Sequence, residues 1–222
     1  MATAADAFTR AASADAGAAS GTVRLTASEV IGAEVLPPIL AALRRTHPGL
    51  VLELHLSNRV EDLLSQEADI AIRMLRPAQA SIVAKRVGAV RLGLFAAASY
   101  LEEHGIPDSL GRLSGFALIG PDRETRALGA IRDLGLDLRP DMFAFRSDSH
   151  LAQLAAIKAG LGIGICQTAL ARRQPELVPV LPDAFTFALE TWIAMHEDLR
   201  RVERVRATFD HLSKGLSEYA AR

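Results

Sequence analysis

The sequence is poor in the residues that staple, ligate or signal. It has one cysteine (Cys166), one tryptophan and two tyrosines, and aromatic residues make up 5% of its 222 positions. A single cysteine excludes an internal disulfide framework and a zinc site built from several thiolates. It also favours a reducing compartment, so a cytoplasmic location is expected. Neither sign of charge dominates: 25 Lys and Arg stand against 26 Asp and Glu, for a net charge of −1. Nucleic-acid-binding units usually carry a clear basic excess, so this stretch is not expected to bind DNA by itself. No apolar run approaches the roughly 18 residues that a membrane span needs. The histidines at 47, 55, 104, 150, 196 and 211 put no pair at metal-ligand spacing on one helix face. P-loop, GxSxG and HExxH motifs are missing too. The sequence therefore predicts neither an enzyme nor a metal or cofactor site. A Cys166–His150 nucleophile stands as the alternative to Cys166 being a small buried strand residue.

What is present is apolar bulk. Hydrophobic residues make up 50% of the chain and charged residues 23%. This length suits one large domain or two lobes of roughly 100 residues each. A chain of this size buries about 70% of its unfolded surface and needs no staples.

The first twenty residues, MATAADAFTRAASADAGAAS, are rich in alanine. They read as the end of a joining helix or as a disordered tail, with little to bury. They make a poor secretion signal, because Asp6, Arg10 and Asp15 break any apolar run. From Thr22 strand and helix patterns alternate. Val23–Thr26 reads as a strand. A helix follows with Leu36, Ile39, Leu40 and Leu43 on one face, ending at His47-Pro48-Gly49. Pro37 and Pro38 are tolerated only near its start or as a kink. Val51–Leu56 is a strand with Leu52, Leu54 and Leu56 on one face. Asn58 is placed to cap a helix carrying Val60, Leu63 and Leu64, with Glu61 as capping-box partner. Asp69–Arg73 is the third strand, and the βαβαβ order implies a parallel sheet.

A second α/β unit follows. Leu92–Ala97, Phe116–Gly120, Met142–Arg146, Ile163–Cys166, Val178–Leu181 and Leu189–Met195 read as strands. Glu124–Leu134 and Ser149–Ala159 read as helices, the latter capped by Asp148 or Ser149 and closed by Gly160. The final helix carries Leu199, Val202, Val205, Phe209, Leu212, Leu216 and Tyr219 as one apolar stripe. Gly160, Gly162 and Gly164 form a GxGxG, but a helix precedes them and a strand follows. A phosphate loop needs the reverse order, so a helix cap entering a packed strand is the better reading.

Binding is what remains. In open parallel sheets ligands sit beyond the carboxyl ends of strands, where helix N-termini present free N–H groups. In the first unit these positions are Ser28, Glu29 and Val30, then Ser57, Asn58 and Arg59, then Arg73 and Met74. In the second they are Gly120, Ser147, Asp148 and Ser149. The plainer alternative for Ser57, Asn58, Asp148 and Ser149 is helix capping, and for Arg59 a solvated surface. Arg73 closes an apolar strand and needs a partner, which Asp69 or Glu29 could equally supply. Trp192 and the Phe143/Phe145 pair read as core rather than as a ligand platform.

Several stretches, in this order, carry a family resemblance: GTVRLTAS, LPPILAALRRTHPGLVLELHLSNRVEDLL, ADIAIRMLRP, SIVAKRVGAVRLGLFAAASYLEEHG, SDSHLAQLAAIKAGLGIGICQTALARR and LVPVLP. From Gly21 to about Leu216 the chain resembles the effector-binding domain of LysR-type transcriptional regulators. The resemblance implies an α/β fold of the two-lobed type II periplasmic-binding-protein kind, with two chain crossovers near Leu92 and Glu190. Lobe I is then 22–92 plus 191–222, lobe II is 93–190, and residues 1–21 are a remnant of the linker helix or a tail. It further implies a small-molecule effector in the cleft and a homodimer, with a tetramer open for the full-length protein. Effector binding would shift the lobe and dimer arrangement. DNA would be contacted only through an N-terminal helix-turn-helix that this sequence lacks. Glu29 and Val30 stand where relatives often have a small polar residue, and Glu67 replaces a common glycine. Glu29 disfavours a simple carboxylate effector unless Arg73 or Arg59 offsets it; a neutral or zwitterionic one fits as well. An extracytoplasmic solute-binding protein of a transporter shares the fold and is the alternative.

Overall fold

The computed structural model describes residues 19–58, 68–77, 82–123, 126–133 and 135–222. Residues 1–18, Arg59, Glu67 and the expected helix with Val60, Glu61, Leu63 and Leu64 lie outside the described residues. The elements in chain order are β1 (Gly21–Ala27), α1 (Leu36–Thr46), β2 (Leu50–Leu56), β3 (Ile70–Arg73), β4 (Ile82–Ala97), α2 (Ala98–His104) and β5 (Leu118–Gly120). Then come α3 (Arg126–Asp133), β6 (Phe143–Arg146), α4 (His150–Lys158), β7 (Gly164–Gln167), α5 (Thr168–Ala171), β8 (Leu177–Val180), β9 (Thr186–His196) and α6 (Glu203–Ala220). The chain divides into two compact units, Met1–Ala89 with Glu190–Arg222 and Val90–Leu189. It passes between them within β4 and within β9.

In the first unit the strand order is β2-β1-β3-β9. β1 runs parallel to β2 and β3, while β9 is antiparallel to β3 with Arg73 opposite Trp192. β1 lies inside the sheet, so Val23, Leu25 and Ala27 are buried, and Thr26 with them. β2 is an edge, and this changes the fate of its apolar alternation. Leu52, Leu54 and Leu56 predict a buried face, yet Leu54 remains 37% exposed and Val51 56%.

The helix after β1 begins earlier than its apolar spacing suggests. The chain turns helical at Glu29, and Ile31–Val35 forms a π-helical stretch before α1. Pro37 and Pro38, in the first turn of α1, have no N–H to give to a preceding carbonyl. The Leu36 N–H reaches back to the Ile31 carbonyl instead, the wider ring of a π-turn. Gly32 sits where the Leu56 side chain of β2 crosses the helix, and a Cβ there would collide with it. α6 closes the unit by burying Val205, Phe209, Leu212, Leu216 and Tyr219. Each large aliphatic side chain so buried contributes about 1.5–3 kcal/mol. Leu199 and Val202 precede α6 rather than belong to it, since Glu197–Arg201 is a 3-10 turn and Val202 the N-cap.

In the second unit β4 pairs antiparallel with β7 and β8, and β5 pairs parallel with β6. β4 starts at Ile82, ten residues ahead of the strand read from Leu92; its early part is exposed at Lys85 and Arg86 and mixed in sequence, so it gives no apolar strand signal. Leu94, Leu101, Leu113, Leu118, Phe143, Ile163 and Val180 form its core. α2 and α5 follow β4 and β7 directly and were not foreseen from the sequence. The helix read over Glu124–Leu134 is observed as Arg126–Asp133. Gly160 has φ +78° and follows α4, and a Cβ on Gly162 would strike the Ala117 carbonyl. The GxGxG is thus a helix exit into a tightly packed strand. Cys166 is a buried member of β7, its thiol donating to the Gln167 carbonyl at 3.6 Å, and His150 is exposed at the start of α4.

Candidate functional site

In the first unit the carboxyl ends of three strands are stitched together by main-chain hydrogen bonds. The Ser57 N–H donates to the Ala27 carbonyl at 2.9 Å, and the Ser28 N–H donates to the Ile72 carbonyl at 3.3 Å. The Ser28 carbonyl accepts the Gly32 N–H at 2.8 Å, so Ser28 opens the helix that Glu29 and Val30 continue. Asn58, read from the sequence as the cap of the following helix, reaches this one. Its Oδ1 accepts the Glu29 N–H at 3.1 Å, satisfying a donor that the helix start leaves open. Ser28, Glu29 and Asn58 are therefore brought together, although Asn58 is 29 positions away in sequence.

Arg73 closes β3 and is 5% exposed. Its Nη2 donates to Thr26 Oγ1 at 2.8 Å and its Nη1 to the Ile72 carbonyl at 3.0 Å. Asp69 is engaged elsewhere, with Oδ2 accepting the Arg24 N–H at 2.8 Å. Thr26 is the residue that sequence reasoning missed; a threonine inside an apolar strand gave no sign that it holds a guanidinium. The Ser28 hydroxyl is buried and, among the described residues, has no hydrogen-bond partner. Val30 and Met74 are half-buried beside these groups in sequence. A buried cation, a helix start and an unsatisfied hydroxyl thus gather at one end of this sheet. Buried polar groups without partners are costly, and such groups are commonly satisfied by something bound.

The second unit uses the corresponding positions differently. Gly120 is buried beneath the Phe143 ring, with no room for a side chain. Its carbonyl accepts the Ser147 N–H at 3.0 Å. Ser147 Oγ accepts the Ser149 N–H at 3.2 Å, and the Ser147 carbonyl accepts Gln153 Nε2 at 2.6 Å. Ser149 is the N-cap of α4, its hydroxyl accepting the Ala152 N–H at 3.4 Å. Asp148 instead accepts the Asp122 N–H at 3.1 Å and pairs with Arg123 Nε at 3.1 Å.

Trp192 was expected in the core and is half-buried. The Arg76 guanidinium carbon lies 5.5 Å from its ring centroid, and the indole N–H donates to Glu190 Oε2 at 3.2 Å. The other oxygen of Glu190 pairs with Arg86 Nε at 2.9 Å. Among the described residues no cluster of His, Cys, Asp and Glu is arranged to hold a metal ion, and no helix is long and apolar enough to cross a membrane.

With this arrangement established, known proteins supply the class. The LysR substrate binding domain family matches residues 16–217, and the chain belongs to that family. It is 24% identical over 204 residues to the probable HTH-type transcriptional regulator LtrA of Klebsiella pneumoniae, covering 88% of this chain and 66% of that protein. The first curated relatives are matched over only 25–66% of their own length. The regulatory domain of CrgA from Neisseria meningitidis superposes with a TM-score of 0.80 at 22% identity, covering 89% of this chain and all of that one. The AmpR effector binding domain from Citrobacter freundii superposes with a TM-score of 0.69 at 17% identity, over 89% and 98% of the two chains. The fold is thus that of LysR regulatory domains. These relatives regulate transcription, so the transporter reading is set aside.

Proposed function

We propose that this chain is the effector-sensing domain of a LysR-type transcriptional regulator, acting in the cytoplasm. A small molecule binds at the carboxyl ends of β1, β2 and β3, touching Ser28, Glu29, Val30, Asn58, Arg73 and Met74, with Arg59 assigned to the same set from sequence alone. The observation that carries this reading is the buried Arg73 sharing the Ile72 carbonyl with Ser28, whose buried hydroxyl has no partner among the described residues. Gly120, Ser147, Asp148 and Ser149 are read as architecture, since Ser147 and Ser149 bond to one another and to α4, Ser147 to Gly120, and Asp148 to Asp122 and Arg123 after β5. An effector that favours one conformation of the domain shifts its population, and DNA-binding parts of a longer regulator would read that shift.

Self-association is part of the proposal. β2 is a sheet edge with Val51 and Leu54 exposed, which supports pairing with a second copy. The test of effector sensing is a small-molecule screen by thermal shift on this chain, repeated on Arg73→Lys. A compound that raises the melting temperature of the native chain but not of the variant is the expected result. A screen without a stabilising compound, or equal stabilisation of both, would sink the reading.

A further inference from the structure

Arg76 stands apart from the other cation at the end of β3. Arg73 is buried and held by Thr26, whereas Arg76 is exposed and lies over the face of Trp192. Among the described residues Arg76 makes no hydrogen bond or ion pair; its cation–π contact with Trp192 is what holds it. A guanidinium carries five N–H donors around its edge, and a cation–π contact gives none of them an acceptor oxygen. Such a fork matches a carboxylate with two parallel hydrogen bonds.

The support behind it is organised. Glu190 accepts the indole N–H with one oxygen and Arg86 with the other, which fixes the ring and adds electron density to the face Arg76 covers. Arg86 and Glu190 neutralise each other, so among the described residues Arg76 is a positive charge with no carboxylate paired to it. Apolar surface adjoins it: Leu75 is 51% exposed and Trp192 is half-buried. A flat cation edge beside exposed apolar surface suits a ligand that has a carboxylate at one end and a flat apolar body at the other.

We propose that Arg76, held on Trp192, recognises the carboxylate of a flat organic acid at the carboxyl end of β3. This rests on the effector-sensing reading and names the ligand class for it.

Trp192 is the sole tryptophan, so its fluorescence reports on this site alone. Benzoate titrated into the whole chain is expected to change that emission saturably, and cyclohexanecarboxylate, equally charged but not flat, to bind more weakly. Arg76→Gln is expected to weaken benzoate binding about tenfold or more, and Arg76→Lys, which keeps the charge but loses the fork, by a smaller but measurable factor. Arg76→Lys also stands in should Arg76→Gln disturb the circular dichroism spectrum. The absence of a saturable benzoate response in the native chain, or equal affinity in both variants, overturns the proposal. Effector sensing fails separately: if the thermal-shift screen finds compounds that depend on Arg73 but not on Arg76, the sensing reading stands and this one falls.

Discussion

The two units end their strands with similar residue types and opposite outcomes. In Val90–Leu189 the serines at 147 and 149 are hydrogen-bonded to one another and to the start of α4, and Asp148 to Asp122 and Arg123 after β5. In the first unit the comparable end has, among the described residues, a hydroxyl without a partner, a buried guanidinium, and a second guanidinium whose contact is an aromatic ring. Polar residues at a strand end are therefore not a binding signature in themselves. What separates a scaffold from a candidate site is whether the donors and acceptors are already satisfied within the protein.

Substitutions can break or sharpen that contrast. The largest effect is expected from Arg73→Ala, which takes the guanidinium from buried Thr26 Oγ1, leaves the Ile72 carbonyl with the Ser28 N–H, and empties the space the buried side chain fills. Stability should fall by about 2–4 kcal/mol in a urea titration, and effector affinity should fall with it. The change is thus not neutral to the fold, which is why Arg73→Lys is the better binding probe. Next comes Gly120→Val in the second unit. Driving a side chain into the Phe143 ring should cost about 1–3 kcal/mol without altering effector affinity relative to the folded fraction. Ser149→Ala removes the cap of α4 and should cost about 1 kcal/mol by thermal denaturation, again with binding unchanged. If Ser149→Ala instead abolished binding while the fold survived, the contrast between the units would collapse. The smallest effect belongs to Arg123→Ala, whose ion pair with Asp148 has side chains 80% and 45% exposed. It should change stability by less than about 1 kcal/mol. On the same scale of stability, Val51→Lys should leave the monomer intact and shift a sedimentation-velocity profile towards it, because a charge on an edge strand discourages pairing.

Much of the fold was legible because periodicity is local. β1, β2, β3 and β6 appeared within a residue or two of their readings, and Ser149 was recognisable as one of two possible caps. The π-helical stretch was not, since two prolines announce a disturbance without saying which ring size resolves it. The early half of β4 was missed because Lys85 and Arg86 interrupt its apolar content. The exposure of Leu54 depends on β2 being an edge, a property of sheet order and not of the strand. The site was legible as a list of positions but not as a set of bonds. Asn58 serves a helix that starts 29 residues before it. Arg76 meets a tryptophan brought beside β3 only when β9 returns antiparallel to it. Such partnerships exist only once distant segments are paired.

The division of the first unit has a consequence during synthesis. Its sheet lacks β9 and its core lacks Val205, Phe209, Leu212 and Leu216 until residues 190–222 have been made. The second unit is one uninterrupted stretch and can complete itself while its predecessor still waits with apolar side chains uncovered. A chain whose Leu189 has just left the ribosome would therefore carry one finished unit and one open sheet, the state in which it is most vulnerable to chaperones, proteases and its own neighbours.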